Sequence, residues 1–181
     1  MPATFLFSVA GNDASALTLQ TVVVGSVFVG GSTIAYSWRQ VREGRWSHVD
    51  ASLPHERSQI NLFLMALFFG AAALMVALDQ PQPLVLSSAL SGALVALGHL
   101  LRPWLKMSLH VSFAVFAASF LWPSMVGTLV ILILAIAISW SRLALARHTW
   151  QEVIIALLAG AVTGTVFNLA TGIGGACLSS T

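Results

Sequence analysis

Long apolar runs separated by short polar links dominate the chain. A helix needs roughly 20 mostly apolar residues to cross a bilayer. Six runs are candidates, at about 17–38, 60–78, 83–101, 107–122, 124–140 and 150–172. The second, fifth and sixth are nearly uninterrupted. The third carries Ser87, Ser88, Ser91 and His99, and the fourth is short and carries Ser108, His110 and Ser112. This pattern predicts an all-α integral membrane bundle of six transmembrane helices over residues 17–175. Residues 1–16 precede it as an interfacial segment, and 176–181 form a flexible tail.

Two features that played no part in dividing the chain agree with the division. All six prolines (Pro2, Pro54, Pro81, Pro83, Pro103, Pro123) fall at or outside run ends, where a missing N–H costs least. Five of the six tryptophans (Trp38, Trp104, Trp122, Trp140, Trp150) lie close to run ends, as an interfacial aromatic belt requires. Gly160 and Gly164 form a GxxxG in the last run, which predicts close helix packing.

Composition makes lipid the expected solvent. Only 8% of the 181 residues are charged and mean hydropathy is +0.89, whereas soluble domains carry about 25% charged residues. A net charge of +2 gives no footing for a nucleic-acid partner. The single cysteine, Cys177, excludes an internal disulfide and an all-cysteine metal site. The first residues lack the cationic n-region of a signal peptide and are expected to be retained. All eight Lys and Arg lie in the links after the first, third and fifth runs. With six spans these links share one side, which the positive-inside rule makes cytoplasmic, leaving both termini outside.

Ionisable side chains at a membrane are costly and mark candidate sites. Three clusters fall on this basic side. His148 and Glu152 stand four residues apart, so a last helix that begins near His148 would put them one turn apart on one face. A carboxylate there can fix the imidazole tautomer and leave the other nitrogen as a nucleophile, or simply support a helix start. Lys106, Ser108 and His110 gather an ammonium, a hydroxyl and an imidazole at the head of the fourth run; snorkelling and local capping would explain them equally. Glu56 and Arg57, with the loop residues His48, Asp50 and His55, precede the second run. Fixed cations suit a tetrahedral oxyanion, and phosphoryl transfer needs a nucleophile, a proton donor and cationic clamps. No metal-ligand set is recognisable among these clusters.

The stretch SRLALARHTWQE (141–152) resembles the third signature of the type-2 phosphatidic acid phosphatase superfamily, S-R-x5-H-x3-D. Ser141, Arg142 and His148 match, and Glu152 stands at the Asp position. MSLH (107–110) resembles the second signature, P-S-G-H, with Met107 and Leu109 in place of Pro and Gly. The first signature, K-x6-R-P, is not matched; Lys106 and Glu56-Arg57 resemble the pattern of divergent bacterial members. The resemblance implies a metal- and cofactor-independent hydrolase of a phosphorylated lipid, an isoprenyl phosphate or diphosphate or a phosphatidate, in a bacterial plasma membrane. His148 would be the nucleophile, Glu152 its orienter and His110 the acid and base. Arg142, Lys106, Arg57, Ser108 and Ser141 would hold the phosphate. A phosphotransferase using the same nucleophile, and a transporter or scaffold binding anionic lipid, are the alternatives. Oligomeric state is not legible.

Overall fold

The computed structural model describes residues 25, 27–49, 51, 53–121 and 125–172. All regular structure among them is helical. The described part of α1 covers 27–42, followed by α2 (Pro54–Ala77), α3 (Gln82–Leu101), α4 (Leu109–Phe120), α5 (Met125–Ala144) and α6 (Trp150–Thr171). Four of these, α2, α3, α5 and α6, are long and apolar enough to cross a membrane. The 12 residues of α4 rise only about 18 Å, short of the roughly 30 Å hydrocarbon core, so this element is not a span of full length. The first candidate span, the leading segment 1–16 and the tail 176–181 lie wholly or partly outside the described residues. What stands, among the described residues, is an all-helical fold with four helices suited to an integral membrane protein.

Proline and tryptophan behave as their positions suggest. Pro54 opens α2 and Pro83 sits in the first turn of α3, where no intrahelical N–H is needed. Trp38, Trp104, Trp140 and Trp150 are all exposed, while Trp46, the one remote from a run end, is 4% exposed.

Among the described residues, those up to Ile60 and those from Asn61 onward form two compact units. In the first, α1 ends in a Schellman turn: Arg45 N–H donates to the Gln40 carbonyl and Gly44 N–H to that of Val41, both at 3.0 Å, with Gly44 at φ +69°. The Trp46 indole N–H then donates to Gln59 Oε1 at 2.7 Å, and its ring meets Tyr36 edge-on. Glu56 is fully buried. Its carboxylate accepts from the Ser47 N–H (2.7 Å), the Ser47 hydroxyl (3.1 Å) and the Leu53 N–H (3.0 Å). It therefore starts α2 six residues before the apolar run, and fastens the preceding loop to that start.

In the second unit α4 packs against α6 and α5, and α3 against α6 and α4. The GxxxG pair makes this possible. A Cβ on Gly160 would lie 2.5 Å from the Ser112 carbonyl oxygen and 2.9 Å from Val115 Cβ, and one on Gly164 would lie 2.9 Å from Ser119 Cβ. One apolar cluster joins Leu94, Phe116 and Phe167; another joins Met107, Val111, Val153 and Ala156. The second cluster supports the residues that follow.

Candidate functional site

The site is built where α5 ends and α6 begins. Arg147 N–H donates to the Arg142 carbonyl at 3.0 Å, and Ala146 N–H to the Leu143 carbonyl at 2.9 Å. This is a second Schellman turn, but its left-handed residue is Ala146, at φ +51°. His148 N–H also reaches the Arg142 carbonyl, at 3.3 Å. Arg142 thus organises the turn through its main chain. Thr149 then caps α6. Its hydroxyl accepts from the Glu152 N–H at 3.4 Å, while the Glu152 carboxylate accepts from the Thr149 N–H at 2.9 Å. The pair is a capping box.

Glu152 does more than cap. Oε1 accepts from the main-chain N–H of Lys106 at 3.1 Å, while Oε2, which holds the Thr149 N–H, also faces His148 Nδ1 at 3.2 Å. His148 Nδ1 lies 3.0 Å from the Lys106 carbonyl as well. Both neighbours of Nδ1 are acceptors, so Nδ1 carries the proton and donates to them. In the neutral ring Nε2 then keeps its lone pair. The Lys106 main chain is bonded on both its N–H and its C=O sides to the pair 42 and 46 residues later.

The side chains of His148 and Glu152 are each 15% exposed. Burial, the largest influence, pushes the His148 imidazole below its ordinary value. The Lys106 carbonyl and the Glu152 carboxylate oppose that shift, and the Lys106 ammonium adds to it. A neutral imidazole is the form a nucleophile requires.

An open recess of about 510 Å³ lies over this pair, lined by Lys106, Leu143, Ala146, Arg147, His148, Thr149, Trp150 and Glu152. Of the residues expected from sequence, Lys106, His148 and Glu152 meet here. Arg142, Ser141, Ser108 and His110 are not part of the lining. Ser108 is the N-cap residue of α4 and is 1% exposed, with its Oγ lacking a hydrogen-bond partner among the described residues. His110 is exposed in the first turn of α4, and Ser141 is exposed on α5. Arg57 belongs to the first unit. The two departures from the second signature point into the core: Met107 Cε and Leu109 Cδ2 bracket Gly98, at 3.2 and 3.1 Å from where its Cβ would stand.

Five lining residues, Leu143, Ala146, Arg147, Thr149 and Trp150, were not expected from sequence, and two of them, Thr149 and Arg147, carry polar chemistry. Thr149 was legible, because Thr-x-x-Glu at a helix start is a capping box. Arg147 had no signal beyond being basic. The fold and site together define a helical protein suited to a membrane, with a histidine–carboxylate pair beside two cationic residues. The chain matches no family model, no curated protein and no solved structure.

Proposed function

We propose that the protein is a six-helix integral membrane phosphatase, its fourth helix short, that hydrolyses a lipid phosphate or diphosphate through a phosphohistidine. The observation that carries this reading is the state of His148. Two acceptors hold its Nδ1 proton, Nε2 is left bare, and burial favours the neutral ring. Lys106 and Arg147 line the same recess and supply the positive charge a phosphate needs.

Nε2 attacks phosphorus and the bond to the lipid oxygen breaks. His110, the acid that the resemblance implies, does not line the recess and would have to reach that oxygen to give it its proton. It would then take a proton from water, whose oxygen attacks the phosphohistidine, releasing inorganic phosphate and restoring Nε2. Glu152 holds the imidazole through both steps and stabilises its cationic form. The site lies where polar links meet apolar helices, at headgroup depth, and the excess of cations on that side favours a cytoplasmic active site.

Phosphate release by the purified protein in detergent with EDTA tests the reading, over isoprenyl phosphates, isoprenyl diphosphates and phosphatidate. Release by the wild type that disappears in His148→Ala is the expected result. No release from any of these lipids by a folded protein overturns it.

A further inference from the structure

Resting on the reading of the recess as a phosphate site, we infer that Arg147, rather than the signature residue Arg142, is the guanidinium that holds the phosphate. Arg142 lies in the last turn of α5, and its carbonyl is the acceptor that closes the Schellman turn, taking the N–H groups of Arg147 and His148. A main-chain acceptor places no demand on the side chain, and Arg142 does not line the recess. The left-handed Ala146 reverses the chain direction after the helix. The residues that follow, Arg147, His148, Thr149 and Trp150, all enter the lining. Arg147 is thus the neighbour in sequence of the nucleophile and shares its cavity.

Lys106 reaches the recess independently, on a segment whose main chain is fastened to Glu152 and His148. The ligand class follows from these two cations. A phosphate monoester dianion accepts two parallel hydrogen bonds from a planar guanidinium and a point-charge contact from an ammonium. Its third face remains open to His148 Nε2.

The test is equilibrium binding of inorganic phosphate to the full chain in neutral detergent, followed by titration calorimetry, alongside lipid phosphate release by the same samples. Arg147→Gln is expected to weaken phosphate binding by about tenfold or more, the loss of a charge-assisted hydrogen bond. Arg147→Lys should fall between the two, because it keeps the charge and loses the fork. Arg142→Gln should lose less than Arg147→Gln, and Arg102→Gln, which removes a cation outside the recess, should bind as the wild type does. Competition by a short-chain phosphatidate that weakens in Arg147→Gln would assign the same contact to the lipid headgroup.

The inference is overturned if Arg147→Gln binds as tightly as the wild type, if Arg142→Gln loses as much, or if the wild type binds no phosphate. Phosphate binding that depends on Arg147 without lipid hydrolysis would uphold it and defeat the hydrolase reading. Hydrolysis unchanged in rate and KM in Arg147→Gln would defeat the inference and leave that reading standing.

Discussion

His148 Nδ1 donates to the main-chain carbonyl of Lys106 at 3.0 Å, slightly closer than its 3.2 Å approach to Glu152. The residue that sets the imidazole tautomer is therefore in part a backbone group from a different helix pair. The carboxylate, in turn, spends most of its capacity on main-chain N–H groups, those of Lys106 and Thr149. Orientation of the histidine and attachment of the Lys106 segment are a single arrangement.

Three N–H donors converge on the two Glu152 oxygens, and only a carboxylate offers acceptors on both. Glu152→Gln places an amide NH2 against at least one of these donors. It is expected to cost about 1–3 kcal/mol, the penalty for an unsatisfied polar group. Thr149→Ala, which removes only the reciprocal cap, should cost about 1 kcal/mol. Glu152→Asp, which restores the signature residue, should also destabilise, because the shorter side chain cannot span the Thr149 and Lys106 N–H groups together. Thermal unfolding in detergent checks the order, and a midpoint for Glu152→Gln at or above that of Thr149→Ala would refute it.

The depressed His148 value has a definite sign. Because the unfolded state binds the proton more readily, stability rises with pH across the interval between the folded value and the ordinary value of about 6.5. Acidification through that interval should destabilise the wild type and leave His148→Gln less affected. If Nε2 is the nucleophile, the acid limb of kcat/KM should fall below pH 6.5. Imidazole chemical shifts in histidine-labelled protein give the titration directly. A midpoint above the ordinary value would contradict the burial argument.

Three helices end in the same turn, with Gly44, Asp79 and Ala146 at the left-handed position. Only the first two are residue types that visit it readily, and for alanine the conformation costs roughly 1–2 kcal/mol. Ala146→Gly should therefore raise the unfolding midpoint, the gain being reduced by the greater freedom of glycine in the unfolded chain. Gly44→Ala should lower it. Equal and opposite shifts are not expected, but a fall in Ala146→Gly would show that the turn is not strained.

Close packing of α4 on α6 makes Gly160→Ala destabilising by about 1–3 kcal/mol, since the new methyl meets backbone and cannot push it aside cheaply. At Gly70, on α2, a Cβ meets nothing within 4 Å. Gly70→Ala should be neutral or stabilising by roughly 0.5–1 kcal/mol. Melting curves of the two variants separate a helix interface from helix propensity.

The order of apolar runs, with prolines and tryptophans at their ends, is enough to define helices, because lipid leaves the backbone no alternative to internal hydrogen bonding. The pairing of His148 with Glu152 is local in sequence, but it is not a shared helix face: His148 precedes the Thr149 N-cap, and the capping box brings Glu152 back to it. That the fourth run is short was legible, but the start of its helix was not: apolarity over 107–122 says nothing of where a helix starts, and Ser108 starts it late. Nor could sequence show that Leu109 and Met107 face the core, or that Lys106 contributes its main chain. These depend on contacts across more than 40 residues. The choice between Arg142 and Arg147 rests on a single left-handed residue, Ala146. Alanine carries no turn signal, so only the packed structure decided which arginine shares a cavity with the histidine.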